Sequence, residues 1–281
     1  MSSPLSSVQA ARLALAARLR DLRLDAGLAG HELSVACGWD PAKTSRIEHA
    51  RATPSDADIR AWCRACGVDG QAADLIAAGR SADSMYVEWK RLNRAGLRHL
   101  QQEVVPLFER TGSFRVYCSN VVPGLLQTER YARAVLSAYG AFHRTATDVE
   151  DAAAARVARS HVIRDGRHRF ALLLEESVLH SGIAPAATTV EQLAYLLEVM
   201  SLPWVSLGVI PVRAERPLWT LESFTLYDDV QVGIELLSAR VTITSPGELS
   251  LYARAFGELA GRALYGAAAR DVITAAIDAI A

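Results

Sequence analysis

Residues 34–48 constrain the fold of this chain more than any other part of its sequence. Gly38 marks the end of a helix, because glycine enters the left-handed conformation that closes a helix at little steric cost. Asp40 and Pro41 mark the start of the next helix, since aspartate caps free N–H groups and proline at the first helical position loses no hydrogen bond. The segment therefore predicts two short helices joined by a tight turn.

The second of these helices is expected to have two different faces. Thr44 and Ile47 are three residues apart and should point inward. The opposite, outward face carries small, polar and basic side chains, namely Ala42, Ser45, Arg46 and His49. A face of this kind, on a helix held by its neighbour, fits the major groove of DNA. The pattern predicts a helix-turn-helix that contacts double-stranded DNA.

Composition and length indicate a globular protein of two domains. The chain has 281 residues, of which 51% are hydrophobic and 22% are charged. Its net charge is -1, and residues 1–80 hold ten basic against nine acidic side chains. Phosphate neutralisation by one copy should therefore be modest, and a homodimer is expected. Four irregularly spaced cysteines and the lack of a long apolar run favour a cytoplasmic protein with no membrane partner.

Periodicity and capping signals divide the chain into two parts. Residues 8–79 predict an all-α domain of five helices, followed by a polar hinge at 80–84. Residues 85–281 predict an α+β domain that opens with a long helix ending near Gly112. Its expected strands are the β-rich runs 114–119, 170–174, 205–210, 223–227 and 232–237, the last two forming a hairpin.

Three features allow more than one interpretation. Cys63 and Cys66 imitate a redox motif, but their position on a predicted buried helical stripe favours a structural role. Arg46 either contacts DNA or pairs with Glu32 on the preceding helix. The arginine-rich segment 156–169 is a basic binding surface or, as we favour, a solvated helix face. No motif for a cofactor, a metal or catalysis is present, so we expect no enzymatic activity.

The first eighty residues resemble the phage-repressor-like (XRE) DNA-binding domain, which has an all-α, five-helix, lambda-repressor-like fold. The matching residues are Leu19-Arg20-Asp21-Leu22-Arg23, Gly27-Leu28, Glu32-Leu33, Thr44-Ser45-Arg46-Ile47-Glu48 and Thr53-Pro54-Ser55. The resemblance implies DNA contacts by Ala42, Lys43, Ser45 and Arg46. His49 on the same face and Arg51 in the following loop complete the predicted DNA-binding set.

Two departures from that family pattern bear on DNA affinity. Ala29-Gly30 stands where the family usually has Thr-Gln, so a helix cap and a side chain often placed on DNA are absent. His49-Ala50 replaces the usual Asn-Gly at the end of the third helix. Both changes predict weaker DNA binding or altered specificity.

The remainder of the chain resembles a C-terminal domain of unassigned function found in helix-turn-helix regulators of high-GC actinobacteria. The resemblance is carried by Glu88-Trp89 and by the string Val-Val-Pro-Gly-Leu-Leu-Gln-Thr at residues 121–128 and its continuation to residue 134. These regulators are described as antitoxin-like and are often encoded beside a small protein. The resemblance therefore implies a small protein partner for this domain.

Together these patterns predict a dimeric DNA-binding transcriptional regulator of the XRE type, whose second domain binds a small partner protein or an effector. One alternative is a second domain that acts as a small-molecule sensor or enzyme and is localised by the helix-turn-helix. That alternative predicts a concave polar pocket with titratable groups of perturbed pKa. Another is an interaction protein whose DNA site has weakened.

Overall fold

The computed structural model describes residues 4–88, 96–144, 148–216, 218–219, 222–244 and 246–280. The chain forms two compact units, Met1–Val87 and Glu88–Ala281. A helical unit is followed by a unit of mixed helices and strands, so the predicted multidomain fold class is confirmed. Within the described ranges, no helix combines the length and the apolar character that crossing a membrane requires.

The first unit is built from helices. Its α-helices are α1 (Pro4–Asp25), α2 (Gly30–Cys37), α3 (Pro41–Glu48), α4 (Asp56–Ala65) and α5 (Ala72–Met85), with a 3-10 turn at Asp69–Gln71. Leu19, Leu33 and Trp62 are 0% exposed and lie at the centre of its core. The Trp62 indole N–H donates to the Leu19 carbonyl oxygen at 2.9 Å, which ties α4 to α1. The core thereby holds the helices in one arrangement.

A three-residue strand, β1 (Tyr86–Glu88), follows α5 in the chain. The helices of the second unit are α6 (Leu97–Glu103), α7 (Val105–Arg110), α8 (Glu129–His143), α9 (Val149–Arg159), α10 (Glu176–Leu179), α11 (Ala186–Val199), α12 (Pro246–Ala260) and α13 (Gly266–Ile280). Its 3-10 turns are Gly124–Leu126 and Ser160–Ile163. Its strands are β2 (Ser113–Cys118), β3 (Arg169–Glu175), β4 (Val205–Ile210), β5 (Phe224–Tyr227), β6 (Gln231–Glu235) and β7 (Ala239–Ile243).

The strands of the second unit form one mixed sheet in the order β7-β6-β5-β2-β3-β4. Strands β2, β3 and β4 are parallel, and their register places Leu172 between Val116 and Leu207. Parallel strands covered on both faces require nearly continuous apolar side chains, which the sequence supplies here. Strands β5 and β6 pair antiparallel, as the predicted hairpin requires, with Asp228 in the left-handed conformation at the turn.

The long helix predicted from Met85 to Gly112 is wrong. Residues 86–88 are strand β1, residues 89–95 lie outside the described ranges, and two short helices follow. Helices α6 and α7 separate at Val104 because Pro106, in the first turn of α7, lacks the N–H that would continue the ladder. Periodicity alone did not reveal this break, since the apolar positions continue across it.

Candidate nucleic-acid interface

Helices α2 and α3 meet at the turn that the sequence predicts. Gly38 has φ 68° and ψ 36°, and the Trp39 N–H donates to the Ser34 carbonyl oxygen at 2.8 Å. A carboxylate oxygen of Asp40 accepts a hydrogen bond from the Ala42 N–H at 2.9 Å, and Pro41 opens α3. The glycine stop, the aspartate cap and the proline start are therefore confirmed.

Buried hydroxyl groups fix α3 against α2. The Ser34 hydroxyl donates to the Gly30 carbonyl oxygen at 3.0 Å and lies 2.7 Å from the Thr44 hydroxyl oxygen. Because Ser34 has a single hydroxyl proton and uses it on the carbonyl, the Thr44 hydroxyl must donate to Ser34. This directed chain and the buried Ile47 side chain set the rotation of α3 about its own axis.

The rotation of α3 exposes the outward face. Thr44 and Ile47 are buried, and the predicted two-faced helix is confirmed. The exposed residues of the predicted set are Ala42, Ser45, Arg46, His49 and Arg51. The Glu32 carboxylate accepts from the Ala29 N–H at 2.6 Å, and no ion pair of Arg46 is recorded within the described part of the chain. The Arg46 guanidinium is thus available to an external phosphate or base.

Lys43 differs from Arg46, because its charge is already paired inside the protein. Its Nζ lies 2.6 Å from a carboxylate oxygen of Asp58 and 4.5 Å from the centre of the Trp39 ring. Asp58 also accepts from the Ser55 N–H at the start of α4. Lys43 therefore links α3 to α4, and its contribution to DNA affinity is reduced accordingly.

The link between Lys43 and Asp58 should make stability depend on pH. Burial acts to raise the pKa of Asp58, but hydrogen bonds from Lys43 and Ser55 outweigh it, and the pKa lies below its ordinary value. The unfolded chain therefore takes up the proton first as the pH falls, and the stabilisation present above about pH 5 is lost below about pH 4. Asp58→Asn should destabilise the protein at about pH 6 and have a smaller effect at about pH 3.

Urea unfolding at the two pH values measures this difference. Asp21→Asn, which removes an exposed carboxylate from α1, is the matched control and should show no such pH dependence. An equal loss at both pH values for Asp58→Asn would contradict the assignment.

A buried ion pair holds the C-terminal end of α3. The Arg23 Nε donates to a Glu48 carboxylate oxygen at 2.5 Å and its Nη2 to the other oxygen at 3.1 Å. Both side chains are only 9% exposed. The Arg23 Nη1 also donates to the Leu28 carbonyl oxygen, and the hydrogen bond to Glu48 raises the pKa of Arg23. Sequence reasoning did not find this pair, because its members are separated by 25 positions.

Helix α3 ends on a residue in the left-handed conformation. Ala50 has φ 51°, and the Arg51 N–H donates to the Arg46 carbonyl oxygen at 2.8 Å. The His49 Nδ1 lies 2.8 Å from the Ser45 carbonyl oxygen, so Nδ1 carries the proton and Nε2 is the ring atom left for other contacts. The position where the related family usually has glycine thus keeps its backbone geometry with an alanine.

Ala50→Gly should stabilise the first unit by about 0.5–1 kcal/mol. An alanine in the left-handed region costs about 1–2 kcal/mol, and the greater entropy of glycine in the unfolded chain offsets part of the gain. Ala17→Gly, at an exposed position within α1, is the control and should destabilise by about 1 kcal/mol. Thermal unfolding of both variants should give shifts of opposite sign, and shifts of the same sign would refute the strain at Ala50.

The Pro-Gly-Leu-Leu-Gln-Thr string of the second unit forms a buried loop between β2 and α8. The Gln192 side chain, 0% exposed on α11, donates to the Leu126 carbonyl oxygen at 2.6 Å and accepts from the Thr128 N–H at 2.8 Å. The Gln127 amide donates to the Val122 carbonyl oxygen at 2.7 Å. Buried amides thus satisfy the backbone of this loop, which explains the two glutamines.

Comparison with protein families gives two matches, one in the helical first unit and one in the second unit. Residues 14–76 match a family described as a helix-turn-helix domain. Residues 101–275, more than half of the chain, match a family described as a domain of unknown function (DUF5753). Neither a curated protein nor a solved structure matches the chain. The chain therefore belongs to the DUF5753 family and carries a helix-turn-helix domain ahead of its family domain.

Proposed function

We propose that this protein is a sequence-specific DNA-binding transcriptional regulator of the XRE type, without enzymatic activity. The observation that carries this proposal is the outward face of α3, where the exposed Arg46 lies among small and polar side chains on a helix whose rotation is fixed. An arginine in this setting reaches phosphates and the base edges of the major groove without steric interference from its neighbours. The helix-turn-helix match supports DNA as the partner.

The regulator acts as a homodimer on a pseudo-palindromic site. The first unit is nearly neutral, and the pairing of Lys43 with Asp58 leaves its predicted DNA surface with little positive charge. A second copy doubles the phosphate contacts and places two α3 helices in successive major grooves about 34 Å apart. Its second unit binds a small partner protein or an effector that changes DNA affinity, as in an antitoxin-like regulator. Residues 121–134 resemble the C-terminal domain of helix-turn-helix regulators described as antitoxin-like, and this resemblance supports the binding of a partner or an effector.

Arg46→Ala tests the proposal directly. Binding of the full chain to fragments of its own promoter is measured by gel shift, with an unrelated fragment of equal length for comparison. We expect Arg46→Ala to lower specific affinity by about 1–3 kcal/mol, which is about 5- to 150-fold. Arg20→Ala removes an exposed arginine from α1 and is the matched control, with affinity unchanged. Equal, weak and unspecific binding by wild type and Arg46→Ala would refute a sequence-specific regulator.

A second candidate function is a pure interaction protein whose DNA site has weakened. It is favoured by Ala29, which offers no side-chain acceptor to cap α2, and by Gly30, which has no side chain to place on DNA. The salt dependence of binding separates the two functions, because affinity falls steeply with salt in proportion to the phosphates that a protein neutralises. A flat dependence with weak binding would favour the interaction protein.

A further inference from the structure

The second unit contains a partly open cavity, and arginine side chains of α9 line it. Its volume is about 260 Å³. Arg156 and Arg159, in the last turn of α9, belong to its lining. The expectation of a solvated face for the arginine-rich segment is therefore wrong for these two residues. The sheet and the surrounding helices enclose their guanidinium groups, although both retain contact with solvent through the cavity.

Neither arginine has an acidic partner among the residues that the structure describes. Arg156 donates from Nε to the Gln101 side-chain oxygen at 3.0 Å and from Nη1 to the Gln127 side-chain oxygen at 2.9 Å. Both acceptors are neutral amides. The Arg159 Nε is buried without a hydrogen-bond partner, and its guanidinium lies 5.2 Å from the centre of the Phe108 ring. Buried charges are normally paired, so this arrangement is unusual for a purely structural role.

The charge of the cavity lining is positive. Its Arg, Lys, Asp and Glu side chains are those of Arg156, Arg159, Arg240 and Glu235, three basic against one acidic. Arg240 also lies 3.5 Å from Glu103, outside the lining, so the two α9 arginines face one carboxylate. Burial and the repulsion from Arg156 lower the pKa of Arg159 to about 9. The cavity lining therefore holds positive charge at a cost in free energy that an anion would offset.

The remaining walls define the size and polarity of what fits. Apolar side chains from α6, α7, α8 and β5 cover much of the surface, namely Leu100, Phe108, Leu136 and Phe224. The loop of the Pro-Gly-Leu-Leu-Gln-Thr string forms another wall, where a Cβ on Gly124 would lie 3.1 Å from the Arg159 Nη2. The glycine leaves room for the guanidinium. The volume is below the ~300–1,000 Å³ of sites for drug-sized ligands, which indicates a small ligand.

We propose that this cavity binds a small organic anion, a carboxylate or a phosphate monoester with a compact apolar body. The anionic group pairs with the guanidiniums of Arg156 and Arg159, and the apolar body packs against the Phe108 side of the cavity. Charge-assisted, two-pronged hydrogen bonds from arginine suit both kinds of anion. The proposal names the chemical class of the effector in the proposed function and in that respect rests on it, but the binding itself does not require DNA.

The experiment uses the full chain without DNA, so that anion binding and DNA binding can fail separately. Phenyl phosphate and benzoate are the anionic probes, and benzyl alcohol is the neutral one. At a hundredfold excess over its Kd, a bound probe should raise the Tm of the second unit by about 5–10 °C. Calorimetric titration should give one site per chain. Benzyl alcohol should give neither effect. The anion that binds more tightly, phenyl phosphate or benzoate, identifies the preferred anionic group.

Arg159→Met tests the assignment of the site, since it keeps the length of the side chain and removes the charge. We expect probe affinity to fall about tenfold or more, while the Tm without probe stays equal or rises because an unpaired buried charge is gone. Arg130→Met is the matched control, because the Arg130 side chain on α8 is 69% exposed. This variant should bind the probes as the wild type does. Together these results would support the site.

Two outcomes would overturn it. The first is that neither anion binds the wild type; a sharply lowered Tm of Arg159→Met in that case would make the arginine structural. The second is that Arg159→Met and Arg130→Met bind the probes equally well. Binding of an anion by wild type together with no DNA binding by any variant would support the cavity proposal and refute the regulator alone.

Discussion

Glu48→Ala is expected to destabilise the first unit by about 3–5 kcal/mol. The substitution leaves the Arg23 guanidinium buried, with the Leu28 carbonyl oxygen at 2.6 Å as its remaining hydrogen-bond partner. Removing one member of a buried ion pair costs far more than the pair itself contributes, because the other charge stays desolvated. Urea unfolding measures the loss of stability. Amide hydrogen exchange should show reduced protection in α1 and α3 and unchanged protection in the sheet of the second unit.

Two controls separate the burial of charge from other effects of this substitution. Asp21→Ala removes an exposed carboxylate from α1 and should change stability by no more than about 0.5 kcal/mol. Replacing both Arg23 and Glu48 by methionine removes both charges and should cost much less than Glu48→Ala alone. If the double variant were as unstable as Glu48→Ala, the loss would come from packing and not from an unpaired charge.

Glu48→Ala and Arg46→Ala also separate structure from recognition on the same helix. Glu48 is buried against Arg23, whereas Arg46, two positions earlier, is exposed. We expect Arg46→Ala to weaken DNA binding without changing the free energy of unfolding. We expect the main effect of Glu48→Ala to be a lower free energy of unfolding. Glu48 thus holds α3 in place through Arg23, whereas Arg46 belongs to the outer face that contacts DNA in the proposed function.

The sequence was sufficient for the helix-turn-helix because its signals are local. Gly38, Asp40 and Pro41 each constrain the backbone within a few residues, and the inward and outward positions of α3 follow from helical geometry. The strands of the second unit were located to within one or two residues where apolar runs are continuous, as at Val205–Ile210. Strand β7 (Ala239–Ile243) was missed, since alternation over only five residues, one of them the charged Arg240, is a weak signal.

Long-range pairings could not be read from local patterns. Asp148 stands at the start of α9, yet its carboxylate oxygens accept from the N–H groups of Leu97 and Arg98 and cap α6. Arg156 donates to the side chains of Gln101 and Gln127, which lie 55 and 29 positions away from it in the chain. Arginine is exposed in most proteins, so a sequence alone predicts an exposed side chain. A buried arginine is recognised only once the three-dimensional structure is known.

Arg216→Ala is expected to destabilise the second unit by about 1.5–3 kcal/mol, less than for a fully buried ion pair, because Arg216 is exposed and water can replace part of its contact with Glu175. Glu175, at the end of β3, is 8% exposed in its side chain and accepts two hydrogen bonds from Arg216, both at 2.6 Å. The Tyr117 hydroxyl donates to the same carboxylate at 2.8 Å. Without Arg216 the buried carboxylate keeps the tyrosine but loses its countercharge, and a single neutral donor does not replace a bidentate guanidinium.

Arg213→Ala is the matched control for this loss, because it removes an exposed arginine from the same loop and should change stability by no more than about 0.5 kcal/mol. Tyr117→Phe should cost about 1 kcal/mol in wild type and more in Arg216→Ala, where the tyrosine is the main remaining donor to Glu175. Urea unfolding of the wild type, the two single variants Arg216→Ala and Tyr117→Phe, and the double variant gives this coupling as a double-mutant cycle. Strict additivity would show that Arg216 and Tyr117 act on Glu175 independently and would contradict the coupling expected here.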